Sequence, residues 1–269
     1  MSMIFNYTLG DAEEWAAFSG DYNPIHFDLQ HVRKMGADQL SVHGMRAMLD
    51  MKRHLSAVLL ATPLEHDFYV FSTRMRRPVL CQTPYHLQIA GNGKQITGEL
   101  RDCATQESCF SSKLAPARSL DLVASEYEHA LTVNEVMALC QPFPGQASEI
   151  TQAWSFFDAL LFQLLVKSPE TLAALTTALP ELQATTLIEV FALSPVVQTH
   201  HETHFSARLF NPETLFAPED RLYYCIQPML IIGNKSSGLV LRTVIEARTQ
   251  WHPLLATSIT LKTWPMADH

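Results

Sequence analysis

Asp21 and His26 stand five residues apart in Phe18-Ser-Gly-Asp-Tyr-Asn-Pro-Ile-His26, which places a carboxylate and an imidazole in one short segment. Pro24 fixes its own φ and drives Asn23 out of the α region, so the stretch should be a defined turn that can aim both groups at one point. An imidazole titrates near neutral pH, and a nearby carboxylate can orient it or share a water with it, which suits general acid–base chemistry. The spacing fits a plain Asx turn equally well, with Asp or Asn bonding its own backbone and the histidine merely at the surface. A second candidate, His43-Gly44-Met45, opens a long apolar run. The first N–H groups of a helix lack intrahelical partners and carry partial positive charge, and Gly44 lets another atom approach that backbone. Such an N–H can hold a carbonyl oxygen as it gains enolate character. Gly44 can also serve close helix packing alone.

The elements that must position these groups read in a similar order twice. Leu40 to Leu60 is rich in Met, Leu, Ala and Val and predicts a long, mostly buried helix. After Thr62-Pro63 come strand-like stretches at Phe68–Arg74, Tyr85–Ala90, Gln95–Arg101 and Ser108–Leu114, with a turn at Gly91-Asn92-Gly93-Lys94. In the second half, Ala153–Val166 is the comparable apolar helix, followed by a short helix near Pro169–Ala178. Strand-like runs follow at Thr186–Ala192, His204–Phe210, Leu222–Ile232, Gly238–Arg248 and Leu255–Lys262, with a turn at Gly233-Asn234-Lys235. A β-rich layer around one buried helix, written twice, summarises both halves. The entrances to the two helices also align faintly: Phe18-Ser-Gly-Asp21 falls on Phe143-Pro-Gly-Gln146, so the second copy offers Gln where the first offers Asp.

Composition narrows the function class. Of the 269 residues, 47% are apolar and 17% charged, which suits a globular chain with a substantial core, and no apolar run is long enough to span a membrane. Residues 1–120 hold 12 basic against 12 acidic groups; residues 121–269 hold 7 against 15 and so carry the whole net charge of −8. That balance disfavours nucleic acid as a partner. Local basic groups at Arg33-Lys34, Arg46, Lys52-Arg53, Arg74 and Arg76-Arg77 fit either a phosphorylated carrier or ordinary solvated surface. The five cysteines form no C-x-x-C pair, and the start lacks a secretory pattern, so free thiols in a reducing, cytoplasmic compartment are expected. His200, His201 and His204 lie in a strand-and-loop stretch, which argues against a metal site there. Nucleotide-binding glycine motifs and the G-x-S-x-G elbow are absent from the sequence.

Taken together, F-S-G-D-Y-N-P-I-H at 18–26, Asp28, and H-G-M at 43–45 resemble the MaoC-like family of hot-dog-fold hydratases and dehydratases, among them the (R)-specific enoyl-CoA hydratases. The resemblance covers about residues 5–115, including Met75-Arg-Arg-Pro-Val79, and reaches the second half only through the faint repeat. It implies an α+β fold of two tandem hot dogs, a pseudo-dimer in one chain: a catalytic domain at 1–120 and a degenerate one at 121–269. It implies that Asp21 and His26 activate water, that Asn23 supports their loop, and that Gly44 N–H binds the thioester oxygen. The reaction implied is syn hydration of a 2-enoyl thioester to an (R)-3-hydroxyacyl thioester, or its reverse. No metal or redox cofactor is then needed; coenzyme A or the phosphopantetheine of an acyl carrier protein enters with the substrate. Two such chains could pair as a homodimer.

Two departures bear on this. Pro78-Val79-Leu80-Cys81-Gln82-Thr83 stands where the family commonly has a Gly-Asp turn, and Arg46, Asp50, Lys52 and Arg53 stand where an acyl tunnel would be apolar, which favours short or polar acyl groups. The motif also lies in the first half, whereas double hot-dog hydratases often carry it in the second. A non-catalytic acyl-thioester-binding or assembly protein, and a hot-dog thioesterase, are the alternatives.

Overall fold

The computed structural model describes residues 2–92, 94–123, 126–144, 153–180, 183–194, 196–210, 220–234 and 237–263. In the first half, β1 (Ser2–Asn6) leads into α1 (Leu9–Ser19), then α2 (Leu29–Lys34) and the long α3 (Gly44–Leu59). Four strands follow: β2 (Phe68–Met75), β3 (Pro84–Asn92), β4 (Gln95–Asp102) and β5 (Ser108–Ala117). They pair antiparallel in the order β1-β3-β4-β5-β2, and α3 packs on β3, β4 and β5. Met45, Met48, Met51 and Leu55 recur at helical spacing along α3 and are fully buried, which is why this run is the centre of the layer and not its surface. Five antiparallel strands on one buried helix form a hot dog, in the α+β class.

The second half comprises β6 (His129–Thr132), α4 (Val133–Cys140), α5 (Ala153–Val166), α6 (Pro169–Ala178), α7 (Leu187–Leu193), β7 (Val196–Ser206), β8 (Arg221–Ile226), β9 (Leu230–Asn234), β10 (Gly238–Arg248) and β11 (Pro253–Thr263). Read from the opposite edge, its strands run β6-β8-β10-β11-β7, the same order as the first half, with α5 packed on β10 and β11. The faint repeat in the sequence has a physical basis. Thr8 caps α1 with Asp11 at the reciprocal position, and Thr132 caps α4 with Glu135 in the same way. Gln146 lies outside the described residues, and so does its comparison with Asp21.

Four sequence expectations change. His204–Phe210 is not one strand: the strand runs Val196–Ser206, and Ala207–Phe210 turns as a 3-10 helix. Thr186–Ala192 is not a strand: Thr186 and Glu189 form a capping box, and Leu187–Leu193 is helical. That cap satisfies the orphan N–H groups of the first turn and overrides the β-branched composition. The run Leu222–Ile232 is two strands, β8 and β9, broken around Pro228, which has no N–H for a ladder. Residues 40–42 precede α3 as an extended piece, where Val42 N–H donates to the Val79 carbonyl and Cys81 N–H to the Leu40 carbonyl.

The halves join edge to edge where β2 pairs β7, from Phe68 with Ser206 to Arg74 with His200. Behind that seam Asp158, on α5, is wholly buried, and Lys52, His201, Thr203 and Thr257 converge on its carboxylate. Lys52 comes from α3 and so ties the two central helices. No helix among the described residues is long and apolar enough to cross a membrane.

Leaving Asp158 buried without its cation should be costly. Lys52→Met is expected to lower unfolding stability in urea by about 3–5 kcal/mol. Adding Asp158→Asn should recover part of that loss. Equal stability of Lys52→Met and the parent would show that the pair does not hold the seam.

Candidate functional site

The turn that carries Asp21 begins at the end of α1. Gly20 takes a left-handed φ of 79° and returns its N–H to the Ala16 carbonyl, closing the helix. A side chain there would be strained in φ and would meet Lys167 Cε at 2.8 Å, so Ser-Gly-Asp needs its glycine. Asp21 N–H donates to Ser19 Oγ at 3.1 Å, and Asn23 N–H donates to Asp21 Oδ1 at 3.2 Å. Asn23 caps the 3-10 turn Pro24–His26 through Oδ1, and its Nδ2 donates to the Val196 carbonyl on β7. The Asx turn and the converging dyad are therefore the same structure. Asp28 stands apart from the dyad and caps α2, accepting from Gln30 and His31 N–H at 2.8 and 3.0 Å.

His26 is 6% exposed, and its Nδ1 lies 2.8 Å from the Ser41 carbonyl. A carbonyl can only accept, so Nδ1 carries the proton and Nε2 is left as an acceptor. His43 stands at the N-cap position of α3 without a side-chain capping bond, and its ring lies against His26 with centroids 3.6 Å apart and a tilt of 31°. Its Nε2 donates to the main-chain carbonyl of Asp21 at 2.8 Å, which leaves Nδ1 buried with no hydrogen-bond partner. One carboxylate oxygen of Asp21 and one ring nitrogen from each histidine lie within 4.8 Å of one another. Burial is the largest effect on all three. It pushes Asp21 up from 3.8, His26 down to about 3 and His43 down to about 4. His43 adds to the depression of His26, and Asp21 opposes it.

Asp21, Asn23, His26 and Gly44, the four residues singled out in the sequence, all line one cavity of about 520 Å³. That volume is in the range of small-molecule sites. Gly44 is the first residue of α3, so its N–H has no intrahelical acceptor. A Cβ added there would sit 3.0 Å from Met75 Sδ and 3.7 Å from Phe110 Cζ, so the glycine serves packing as well. From the other half, Phe162, Leu165, Leu175, Phe191, Met229 and Ile259 complete an apolar wall. The sequence does not single these out; Phe162 and Leu165 show there only as core of an apolar helix. His43 stands out in the sequence only as a neighbour of Gly44, and Ser41 acts through its backbone, which no sequence motif reveals.

The charged residues of α3 lie elsewhere. Arg46 pairs with Asp11 and Asp50 at 2.7 and 3.0 Å, Lys52 pairs with Asp158, and neither these groups nor Arg53 line the cavity. The expectation of a tunnel polar along α3 is thereby corrected: the cavity runs towards the second half. Arg76 and Arg77 do line it, with Lys262. His201 belongs to the Asp158 cluster, and His204 pairs with Glu202.

No family model and no curated protein matches the chain. Among solved structures it is similar to a putative oleoyl thioesterase from Lactobacillus plantarum (10% identity, TM-score 0.49, covering 98% of this chain and 96% of that one). It is similar also to a putative MaoC domain protein dehydratase from Chloroflexus aurantiacus (9%, TM-score 0.49, 99% and 95%) and to a MaoC-like dehydratase (11%, TM-score 0.48, 99% and 97%).

The depressed histidines give a signed pH dependence. Unfolded histidines titrate near 6.5, whereas the folded values are about 3 and about 4. As pH falls from 6.5 to 4, the unfolded chain takes up protons that the folded chain refuses, so stability falls with pH. Asp21, raised on folding, works in the opposite sense. His26→Asn, which keeps a donor for the Ser41 carbonyl, should flatten the urea-derived stability profile by up to about 1.4 kcal/mol per pH unit. An unchanged slope would show that His26 is not buried neutral.

Proposed function

We propose that the chain is a hydratase/dehydratase of 2-enoyl and (R)-3-hydroxyacyl thioesters, built as two tandem hot dogs with the working site in residues 1–120. The observation that carries this reading is that Asp21, His26 and Gly44 at the start of α3 line one largely apolar cavity, with Asp21 and His26 in one cluster. In this reading Gly44 N–H donates to the thioester oxygen, and Asp21 with His26 holds a water over C3. The water oxygen bonds to C3 while one of its protons passes to the pair. The C2=C3 electrons move onto the thioester as an enolate, which Gly44 N–H stabilises. The pair returns the proton to C2 on the same face, so one water is added syn; the reverse sequence expels it.

The groups required are all side chains and backbone of this chain, and neither metal nor redox chemistry is called for. The thioester is carried on coenzyme A or on acyl carrier protein, with Arg76 and Arg77 beside the cavity offering charge to its phosphates. Residues 121–269 serve as the apolar wall for the acyl chain. We place the protein in the cytoplasm, as one chain or as a pair of double hot dogs.

The test uses crotonyl-CoA and longer enoyl-CoAs, following absorbance of the conjugated thioester and free thiol in parallel. Loss of conjugation without thiol release is expected. Asp21→Asn and His26→Gln should each lower kcat/KM by about 10²- to 10⁴-fold. Thiol release would make the protein a thioesterase, and no turnover on any carrier would leave a binding protein.

A further inference from the structure

The polar end of the cavity contains one more group than the dyad needs. His43 is 2% exposed, and its Nδ1 lone pair has no hydrogen-bond partner. An acceptor buried without a donor destabilises the fold unless something supplies its missing partner. A ring nitrogen of His26, one of His43 and a carboxylate oxygen of Asp21 lie within 4.8 Å of one another, and the bonds to main-chain carbonyls leave His26 Nε2, like His43 Nδ1, an acceptor. A cation held by the two imidazoles and the carboxylate would give the unpaired His43 nitrogen its partner.

We propose that Asp21, His26 and His43 form a binding site for a divalent transition-metal ion, and that occupancy withdraws Asp21 and His26 from water. The donor set of two imidazoles and one carboxylate is the one that holds Zn²⁺, Fe²⁺ or Co²⁺ with further positions open. Each imidazole already has the support that a metal ligand needs. The nitrogen that would not bind the ion donates to a main-chain carbonyl, of Ser41 for His26 and of Asp21 for His43, both at 2.8 Å. An ion about 2.0–2.2 Å from each donor in tetrahedral geometry requires them about 3.3–3.6 Å apart, so a closure of up to about 1.5 Å from their 4.8 Å limit is needed. The Asp21 carboxylate can supply it, since it is only half-buried and is held by one 3.2 Å bond from Asn23 N–H. The open coordination positions then face the cavity.

Binding stands on geometry alone; inhibition rests on the hydratase reading. The test begins with untagged protein stripped by a chelator and titrated with Co²⁺, read by visible d–d absorption and by calorimetry. One saturable equivalent is expected, displaced by Zn²⁺. His43→Gln and Asp21→Asn, checked for folding by circular dichroism, should each weaken binding by about 10- to 100-fold. His129→Gln controls for the exposed group formed by Glu128, His129 and Glu170. No saturable equivalent, or affinity unchanged in both site variants, would overturn the proposal. In parallel, Zn²⁺ should suppress hydration of crotonyl-CoA over the range in which it binds, and chelation should restore it. Activity unaffected or raised by a bound ion would overturn the inhibitory role. Binding without any hydration by the stripped protein would sink the hydratase reading and leave the metal site standing.

Discussion

The structure depends on one buried carboxylate. Asp158 sits where no water reaches it, and its oxygens are satisfied from α3 by Lys52, from β7 by His201 and Thr203, and from β11 by Thr257. Aromatic rings enclose the cluster. Trp154 stacks on Phe205 at 4.4 Å, and Lys52 Nζ lies 5.6 and 5.7 Å from the rings of Phe71 and Trp154. A buried ion pair adds little net stability over a well-packed apolar substitute, but it is directional. Each displacement of α3 against α5 would strand a charge. The edge pairing of β2 with β7 could slip by two residues and keep its faces, whereas the Asp158 cluster allows one register.

The site inherits that register, because its cavity has walls from both halves. Asn23 Nδ2 reaches the Val196 carbonyl, and Gln163 of α5 donates to the Phe18 carbonyl at the end of α1. The loop bearing Asp21 is thus held by the half that lacks the dyad. From its own half it is fixed through Ser41, whose carbonyl orients His26 and which sits between the bonds joining residues 40–42 to 79–81. That pairing continues into Gln82, which takes a left-handed φ of 58° and donates its N–H to the Tyr7 carbonyl at 2.7 Å. Gln82 thus closes the stretch 78–83 in a conformation that is uncommon for a residue with a side chain. Rigid support of this kind suits groups that must be aimed rather than adaptable.

Much of this was legible in the sequence, and the limits have physical causes. The two apolar helices and most strands follow from local periodicity, and Ala153–Val166, Pro169–Ala178 and Gly238–Arg248 match their elements end to end. Asp21, Asn23, His26 and Gly44 were legible because a proline-stiffened turn and a helix start are local features. Thr186–Ala192 misled because composition speaks for strand while one capping box, worth about 1 kcal/mol, tips a short segment to helix. The apolar wall from α5, α6 and α7 was invisible because it depends on how two halves face each other. So were the Arg46–Asp11 and Lys52–Asp158 pairs, whose members lie 35 and 106 residues apart.

Burial in a cavity walled by both halves changes the proton affinities of Asp21 and His26. In water a carboxyl and an imidazole differ in proton affinity by several pH units, so a proton left between them stays on the imidazole. In this cavity burial raises Asp21 and lowers His26 to about 3, which works against that preference. Near neutral pH His26 is thereby held neutral, with Nε2 left to accept. The second half contributes Phe162, Leu165, Leu175 and Phe191 to the cavity that Asp21 and His26 line, so it helps to shape the medium around them.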